Sequence, residues 1–332
     1  MTTIFLIGAG FNVDANSLVQ PYRATNFYGE IYNINAAYPV ISELASIAFP
    51  NETVVDFEER LAEAITKRDY GPMDRVIDAL MRADHYVGSR LGESGARNIY
   101  DEFLSWCGPA FFVTFNYDAF LELRLFKTQQ WYPHDGFGVP VQVGLIPAAG
   151  DELNKRSTHQ VLHLHGSYLL YTVDFNVSQP DDNNIRWIIQ TEQPRFLFDP
   201  DALGQHFIPF KRVSPSYGYQ RPEFRVIAPV PDKAEGLSEV FIQKCYQDAL
   251  GRVIQSQRLI SIGYSFSRSD RRSFAPILEK FVQTKGGSIT VIDPNAKKIV
   301  EYLKTMFPAK YRPIPWRFGD WVRRGFPEDA NA

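Results

Sequence analysis

The amino-acid sequence predicts an α/β fold with a Rossmann-like parallel sheet of about six strands. Six short segments are mostly apolar, as strands are when both faces of a sheet are covered. Helical patterns, with apolar residues every three or four positions, lie between most of these segments, and this alternation is typical of βαβ units. The six predicted strands are Ile4–Ile7, Phe111–Phe115, Val161–Leu164, Arg225–Ala228, Leu259–Ile262 and Ile289–Ile292.

A long helical segment separates the first two predicted strands. The ranges Val54–Lys67, Pro72–Val87 and Arg97–Trp106 all carry apolar residues at helical spacing. Three helices are more than one crossover between neighbouring strands needs. We therefore expect a helical insertion at about residues 30–105, lying over one edge of the sheet.

A second segment, at about residues 167–224, has β character, and we expect a smaller β-rich insertion there. Its strand-like stretches are separated by Pro, Asp and Asn. They are Ser167–Val173, Ile185–Gln190 and Arg195–Phe198, and a loop is expected at Pro209–Pro222. Amphipathic helices should follow at Leu237–Gln255, Ser269–Thr284 and Asn295–Phe307. The whole chain, 1–332, is expected to form a single domain.

Composition and charge indicate an ordinary soluble globular protein. Of the 332 residues, 45% are apolar and 22% are charged, and a formal net charge of −3 argues against polyanion binding by bulk electrostatics. Cys107 and Cys245 lie far apart, which excludes a disulfide framework and a cysteine-based zinc site. The first residues lack the features of a signal peptide, and no apolar run has the roughly 20 residues of a membrane span. We therefore expect a cytoplasmic protein.

The first predicted strand runs directly into Gly8-Ala9-Gly10-Phe11-Asn12. A strand followed by Gly-x-Gly lets the pyrophosphate of a dinucleotide approach backbone N–H groups, because a Cβ there would block it. The dehydrogenase fingerprint is incomplete, since Val13 holds the third glycine position and no acidic residue ends a second strand about 20 residues on. The sequence thus favours a nucleotide site of another kind, and a plain strand-to-helix turn is the alternative.

Polar residues lie at the ends of the second and third predicted strands, Phe111–Phe115 and Val161–Leu164. One strand ends in Thr114-Phe115-Asn116-Tyr117-Asp118 and the other in His163-Leu164-His165-Gly166. Ligands of open parallel sheets bind at the carboxyl ends of the strands, so Asn116 and His165 are candidates for a shared site. In the alternative interpretation, Asn116 or Asp118 caps the helix that begins near Ala119, and His165 is a buried structural histidine.

Two later strand ends repeat the pattern. Gly263-Tyr264-Ser265 offers a small residue and a hydroxyl, and Asp293-Pro294-Asn295 offers a carboxylate and an amide that suit ribose hydroxyls. Asn295 is equally well placed to cap the helix that follows.

Taken in order, these motifs resemble those of the sirtuin-like superfamily. The family has a Gly-Ala-Gly loop, a Thr-x-Asn-x-Asp segment, a His-Gly pair, a Gly-Thr-Ser-like turn and a late strand that ends in Asn, and all of them have counterparts across residues 4–295. The deacylases of the superfamily carry a four-cysteine zinc module after the histidine, whereas Cys245 is the only cysteine there. Phe115 replaces a deacylase Gln, and Asn12 replaces a Ser. The sequence resembles instead the sirtuin-like NAD hydrolases of bacterial anti-phage defence.

This resemblance implies an NAD+ glycohydrolase that releases nicotinamide and ADP-ribose and needs no metal. Asn116 would orient the water, His165 would act as general base, and Asp118 would hold the nicotinamide amide or stabilise positive charge. The residues expected to contact NAD are Gly8, Ala9, Gly10, Phe11, Asn12, Thr114, Gly263, Ser265, Asp293 and Asn295. Because an enzyme that drains NAD must be restrained, we expect a homo-oligomer and a separate regulatory partner, such as an ATPase or a nucleic-acid sensor.

Two other functions share these residues. An NAD-dependent protein deacylase would use the same Asn and His, and a non-catalytic module would bind NAD or ADP-ribose and regulate a partner. The C-terminal stretch Lys310–Phe326 mixes Arg with Trp and Phe, so it either packs against the body or a partner subunit, or binds nucleic acid. The sequence leaves the choice between NAD and NADP open.

Overall fold

The computed structural model describes residues 3–18, 22–25, 31–34, 38, 41–93, 98–138, 142–143, 155–172, 197–198, 223–228, 230, 233, 237, 240–283 and 287–327. The strands within these ranges are, in chain order, β1 Thr3–Ile7, β2 Tyr22–Thr25, β3 Ile31–Ile34, β4 Phe111–Thr114, β5 Gln142–Val143, β6 Gln160–His163, β7 Gly166–Thr172, β8 Leu197–Phe198, β9 Glu223–Val226, β10 Arg258–Ile262, β11 Ser288–Ile292 and β12 Lys310–Ile314.

Six of these strands form one sheet in the order β12-β11-β10-β1-β4-β6, and every neighbouring pair is parallel. Numbered within this sheet alone, the order is 3-2-1-4-5-6 when read from β6 to β12, as in doubly wound nucleotide-binding folds. The predicted α/β fold with a Rossmann-like parallel sheet is therefore confirmed. The strand order reverses between β1 and β10, which lie side by side at the centre.

The central strands consist of apolar residues because both of their faces are covered. In β1, Ile4, Phe5, Leu6 and Ile7 are each at most 1% exposed. Such a strand has no face in water, so the usual alternation of polar and apolar residues is absent.

The membership of the main sheet differs from the prediction at one strand. The sequence predicts Arg225–Ala228 as a strand of the parallel sheet, but β9 pairs antiparallel with β7 in a separate sheet of order β5-β8-β7-β9. The sixth strand is β12, which comes from the C-terminal stretch. Pro313 is tolerated in β12 because this strand lies at the edge of the sheet and pairs only with β11.

Helices connect and flank these strands. They are α1 Ile41–Ala48, α2 Phe57–Thr66, α3 Gly71–Glu93, α4 Ile99–Cys107, α5 Phe120–Lys127, α6 Pro133–Gly136, α7 Val240–Gln255, α8 Arg271–Gln283, α9 Ala296–Lys304 and α10 Phe318–Arg323, with short 3-10 turns at Ala9–Phe11 and Val13–Leu18. None of the helices within the described residues is long and apolar enough to cross a membrane.

Four helices, α1 to α4, lie between β1 and β4, in the segment for which the sequence predicts a helical insertion, and the antiparallel pair β2–β3 precedes them. The start of α4 is fixed by Asn98, whose side chain accepts hydrogen bonds from the N–H groups of Tyr100 and Asp101 at 3.0 and 3.1 Å. Strands β7 to β9 lie in or beside the predicted β-rich segment. The predicted strand Ile185–Gln190 and the predicted loop Pro209–Pro222 lie outside the described residues.

The C-terminal stretch is an integral part of the fold. After β12, helix α10 buries Phe318 and Trp321, each of which is 2% exposed. The ring centroid of Phe318 lies 4.6 Å from that of Phe11, and Trp321 meets Trp106 at 5.2 Å. Of the two interpretations of this stretch, the structure agrees with packing against the body.

Candidate functional site

The segments singled out in the sequence meet where the strand order reverses. Gly8 follows β1 and Gly263 follows β10, so these two loops leave adjacent strands at the carboxyl edge of the sheet. The turn that contains Asn116 follows β4, the other neighbour of β1, and His165 follows β6, the neighbour of β4. The topology thus brings all four segments to the edge at which ligands bind in doubly wound sheets.

The glycines are required by the contact between the two loops. The N–H of Gly8 donates to the carbonyl oxygen of Ile262 at 3.1 Å, and the N–H of Gly10 donates to that of Gly263 at 2.9 Å. A Cβ on Gly10 would lie 2.7 Å from the Cα of Gly263, and Gly263 itself has a φ of +59°. Both conditions demand glycine without any ligand. The glycines alone therefore do not distinguish a phosphate cradle from a plain turn.

The other residues of the glycine loop have different surroundings: one is at the surface, one is in the core and one contacts the neighbouring turn. Ala9 is exposed, whereas the ring of Phe11 is 1% exposed and packs against Tyr100 in an aromatic cluster. The Phe11 side chain is thus a core residue, and its backbone is the part that belongs to the loop. Asn12 is 2% exposed, and its side chain hydrogen-bonds the carboxylate of Asp118. This bond ties the glycine loop to the turn after β4.

The turn after β4 is held from within the protein. The hydroxyl of Thr114, a residue that is 3% exposed, accepts a hydrogen bond from the N–H of Asn116 at 3.0 Å. Asn116 and Asp118 are each 9% exposed. A carboxylate oxygen of Asp118 accepts from the N–H of Phe120 at 3.3 Å, so Asp118 supports the start of α5, as the capping interpretation expects. Within the described part of the chain, the side chain of Asn116 accepts no hydrogen bond from the start of α5.

Burial makes Asp118 difficult to ionise. Loss of solvation raises the pKa of this carboxyl to about 6, and the charge of Glu122 acts in the same direction. The hydrogen bonds from Asn12 and from the N–H of Phe120 oppose the shift. Asp118 therefore titrates near neutral pH, which is a property of groups that stabilise charge or exchange protons at functional sites.

His165 is enclosed by aromatic rings and by α8. It is 2% exposed, and the ring centroids of Phe115 and Tyr117 lie 5.4 and 5.9 Å from its own. Its Nε2 atom lies 3.2 Å from Oγ of Ser273. In this state the nitrogen is already engaged by a hydroxyl of the protein.

A buried ion pair lies beside this histidine. The ammonium of Lys233 pairs with the carboxylate of Asp270, and their side chains are 5% and 13% exposed. Asp270 also accepts from the hydroxyl of Tyr264 at 3.3 Å, and one of its oxygens lies 3.7 Å from Nε2 of His165. The pKa of His165 is lowered to about 4, chiefly by burial; the charge of Lys233 acts in the same direction, and Asp270 opposes both. His165 is thus neutral at pH 7 and has a lone pair with which to accept a proton.

Ser273, His165 and Asp270 do not form a hydrolase triad. In such triads the nucleophile and the carboxylate contact opposite nitrogens of the imidazole. Here Ser273 and Asp270 both face Nε2, at 3.2 and 3.7 Å. The arrangement does not suit activation of Ser273, and it leaves His165 to act on a molecule that displaces the serine hydroxyl.

A second buried cluster lies beneath the Asn116 turn. Nδ1 of His163 lies 3.1 Å from the carbonyl oxygen of Gly166, and Nε2 pairs with Glu122. Burial disfavours charge on His163, but Glu122 outweighs it and raises the pKa of the imidazole. Both nitrogens face acceptors, an arrangement that favours the charged form of the ring, and the pair fixes α5 against β6. Within the described residues, no group of three or more His, Cys, Asp or Glu side chains is arranged to hold a metal ion.

The helical insertion reaches the same turn through Asp84 of α3. Its carboxylate accepts hydrogen bonds from the hydroxyls of Tyr38 and Tyr168 and, at 2.6 Å, from the N–H of Ala119. Asp84 is 1% exposed, and burial, followed by the charge of Asp118, raises its pKa. Because three donors converge on it, Asp84 holds the start of α5 and thereby the turn before it.

The later strand ends are more open. Ser265 and Asn295 are exposed, and Asp293 is half-buried. A carboxylate oxygen of Asp293 accepts from the N–H of Asn295 at 2.7 Å, and burial raises the pKa of Asp293. Asn295 stands at the cap position of α9, yet its side chain makes no capping hydrogen bond. In the described part of the chain these residues share an edge with Asn116 but no hydrogen bond with it.

A shallow groove at the start of α8 carries positive charge. Its volume is about 470 Å³, and it is lined by Arg268, Arg271, Arg272, Ala275 and Pro276. The three arginines are exposed. Cations at the N-terminus of a helix oppose the helix dipole, so this arrangement suits a bound anion better than an empty groove.

Sequence reasoning missed most of the residues that surround the predicted pair. Asp270 lies in a polar loop after β10, and His163 lies two residues before His165, so both carried a signal at a strand end. No pattern in the sequence points to Lys233 or Asp84, because they reach the site from segments that are remote in sequence.

Comparison with solved structures finds a distant likeness to Sir2 proteins. A Sir2 in complex with the inhibitor EX-527, 2'-O-acetyl-ADP-ribose and a deacetylated p53 peptide is 12% identical, with 97% of this chain and 91% of that chain covered and a TM-score of 0.40. Sir2Tm bound to a propionylated peptide is 12% identical, with 98% of this chain and 91% of that chain covered and a TM-score of 0.36. A Sir2 homologue–NAD complex is 11% identical, with 98% of this chain and 91% of that chain covered and a TM-score of 0.35. No protein-family model and no curated protein matches the chain.

Proposed function

We propose that the protein hydrolyses NAD at the bond between nicotinamide and ribose and so releases nicotinamide and ADP-ribose. The supporting observation is that Asn116 and His165 follow neighbouring strands, β4 and β6, at the edge where the strand order reverses. That edge is where dinucleotides bind in doubly wound sheets. The resemblance of the sequence motifs to those of sirtuin-like NAD hydrolases favours the same substrate.

The proposed reaction needs one water and one base. The bond to nicotinamide breaks, its electron pair leaves with the neutral nicotinamide, and the water oxygen bonds to C1' of the ribose. The amide of Asn116 orients this water, and Nε2 of His165 takes the proton that the water loses and passes it to solvent. Water reaches Nε2 when the Ser273 hydroxyl, 3.2 Å away in this state, gives way.

Other groups supply the remaining roles. Above its pKa of about 6, Asp118 is ionised and stabilises positive charge on the ribose or holds the nicotinamide amide. The loop Gly8–Asn12 borders the pyrophosphate, and the exposed arginines at the start of α8 offer it positive charge. Thr114 holds the turn, and the contacts to the rest of the nucleotide come from Gly263, Ser265, Asp293 and Asn295.

Nicotinamide release from NAD, followed with the purified protein alone and in cell extract, tests this proposal. Asn116→Ala and His165→Ala should each lower turnover by at least about 100-fold, since orientation of a reactant and general-base catalysis each contribute that much. His159→Ala is the matched control. His159 is also buried, and burial lowers its pKa to about 4, but it lies beside the amino end of β6 and bonds Gln130.

The control variant should keep the turnover of wild type per folded molecule, even where it melts at a lower temperature. Turnover that survives both Asn116→Ala and His165→Ala would overturn the assignment. Silence of the wild type would not, because an enzyme of this kind can need an activator.

The burial of His165 favours one other function. With Nε2 engaged by Ser273 and the ring 2% exposed, a protein that stays in this state binds the nucleotide without cleaving it. It would then be a module that binds NAD or ADP-ribose and regulates a partner. Calorimetric titration that finds tight NAD binding, together with no nicotinamide release even when the regulatory partner is present, distinguishes this function from hydrolysis.

An enzyme that drains NAD harms its host unless it is restrained. We propose that the protein is a cytoplasmic, NAD-depleting effector of anti-phage defence. We also propose that it is a homo-oligomer kept inactive until a partner, such as an ATPase or a nucleic-acid sensor, releases it. The covered state of His165 supports restraint of this kind. Infected cells should lose NAD when they carry wild type and keep it when they carry Asn116→Ala, and equal NAD levels would contradict the role in defence.

A further inference from the structure

Tyr117 carries a buried hydroxyl that has no role in the reaction described above. It is the middle residue of the Asn116–Asp118 turn, and its ring lies on that of His165, with centroids 5.9 Å apart and an angle of 28° between the planes. The hydroxyl oxygen is closed to solvent and has no hydrogen-bond partner among the described residues.

The other deeply buried tyrosine hydroxyls of the site and its surroundings are all satisfied by protein acceptors. They are those of Tyr38, Tyr100, Tyr168 and Tyr264. In the part of the chain that the structure describes, Tyr117 is the one tyrosine among the buried side-chain polar atoms that lack a partner. Buried polar groups of native proteins are hydrogen-bonded as a rule, so this exception requires an explanation.

The Tyr117 hydroxyl is available as a donor. Burial, followed by the charges of Asp270 and Glu58, raises its pKa well above the ordinary value, so it stays protonated. Both carboxylates act on it through their charge but already serve other partners, since Asp270 pairs with Lys233 and Glu58 bonds Ser269. What the hydroxyl lacks is an acceptor, and no atom of the described protein supplies one.

We propose that Tyr117 contacts the substrate and donates this hydrogen bond to an acceptor oxygen of the bound nucleotide. The inference rests on the proposed function, which puts the ribose and the nicotinamide beside His165. That part of NAD offers two kinds of acceptor oxygen, the ribose hydroxyls and the carboxamide. ADP-ribose keeps the first and lacks the second, so a comparison of the two ligands tells them apart.

Tyr117→Phe removes the hydroxyl alone and tests the inference. The substitution is made in an Asn116→Ala background, which prevents turnover, and affinity for NAD is measured by calorimetric titration. Loss of one hydrogen bond should weaken NAD binding about 2- to 10-fold. The melting temperature of the ligand-free protein should stay the same or rise, because no internal bond is lost and a desolvated hydroxyl is removed.

Tyr311→Phe, in the same background, is the matched control. Its hydroxyl donates to the carbonyl oxygen of Phe307 at 3.0 Å, and β12 lies at the far edge of the sheet from β6. This variant should melt at a lower temperature than its parent and bind NAD with unchanged affinity.

The outcomes separate this inference from the proposed function. Weaker binding of both NAD and ADP-ribose by Tyr117→Phe assigns the bond to the ribose, and weaker binding of NAD alone assigns it to the carboxamide. Unchanged affinity for NAD overturns the inference and leaves the proposed function, which nicotinamide release tests separately. A ligand-free melting temperature that falls as far as in Tyr311→Phe also overturns it, because the hydroxyl then has an internal partner. A wild type that binds neither nucleotide overturns both.

Discussion

At the scale of single residues, one physical cause shifts the pKa values of Asp118 and His165 in opposite directions. Burial disfavours the charged form of each, so it raises the pKa of Asp118 to about 6 and lowers that of His165 to about 4. At a pH at which the group would be charged in water, burial of each group therefore lowers the stability of the fold. Residues that stabilise a reacting molecule commonly carry such a cost, which the rest of the fold must offset.

Asp118→Asn should stabilise the protein at neutral pH. The folded pKa of about 6 lies above the unfolded value of about 3.9, so the folded state holds the proton more tightly, and stability falls as the pH rises from about 4 to about 6. A shift of two units corresponds to at most about 3 kcal/mol. The amide has no charge to desolvate, and its oxygen still accepts from the N–H of Phe120. The melting temperature of the variant should exceed that of wild type at pH 7.5, and the difference should close toward pH 4.

Asp320→Asn is the control for this measurement. Asp320 is half exposed and pairs with Arg323 at the surface, so its replacement should change the melting temperature little and equally at both pH values. A variant Asp118→Asn that melts below wild type at pH 7.5 would contradict the account, because the carboxylate would then stabilise the fold in its ionised form.

At the scale of elements, the sequence predicts the buried strands and misses the edge strand β12. Strands such as β1 and β10 are found because both faces are covered, so most of their residues are apolar. The edge strand β12, with Lys310, Arg312 and Pro313, has one side in water, and its pattern resembles a basic tail more than a strand. Arg225–Ala228 overlaps strand β9, but the prediction assigns it to the wrong sheet. An apolar run indicates that a segment is buried but not which sheet it belongs to.

The same limit explains which parts of the site are predictable. Asn116 and His165 stand out because they end strands, and the carboxyl edge of a parallel sheet is fixed by the chain direction. Asp84 and Lys233 act on these residues across tertiary contacts, and no spacing in the sequence encodes such approaches. Phe11 is the converse case, because it lies in the glycine motif but its ring belongs to the core.

The contact between the loops after β1 and β10 can be tested with one methyl group. Gly263→Ala places a Cβ against the backbone of Gly10 and holds alanine at a φ of +59°, so the free energy of unfolding should fall by about 1–3 kcal/mol or more in chemical denaturation. Gly251→Ala is the control. It lies exposed in α7, its new Cβ would meet nothing within 4 Å, and it should gain about 0.5–1 kcal/mol. Similar changes in the two variants would contradict a close contact between the loops.

At the scale of the whole molecule, the site is assembled from parts that are distant in the chain. The sheet order brings together the ends of β1, β4 and β6 from the first half and of β10 from the second. Asp84 comes from the helical segment between β1 and β4, and Lys233 comes from the segment before α7. Formation of the site therefore depends on completion of the fold, and distant elements influence it through packing.

The C-terminal segment provides the clearest link of this kind. Phe318 and Trp321 belong to the aromatic cluster that also holds Phe11 beside the glycine loop. The N–H of Gly319 donates to a carboxylate oxygen of Asp14 at 2.7 Å. The segment thus joins β12, at one edge of the sheet, to the loop after the central strand β1.

Trp321→Ala should therefore lower the free energy of unfolding by about 3–5 kcal/mol in chemical denaturation, because it leaves a large cavity in a buried cluster. That is a large share of the roughly 5–15 kcal/mol that stabilises a typical domain. Trp316→Ala is the matched control, since Trp316 is half-buried with Arg324 over its ring at 4.4 Å, and it should cost about 1 kcal/mol. Removal of residues 308–332 takes away a strand of the sheet together with this cluster, so the remaining chain should no longer melt cooperatively. A truncated chain that melts like wild type would contradict this and would favour the view of Lys310–Phe326 as a separate nucleic-acid-binding arm.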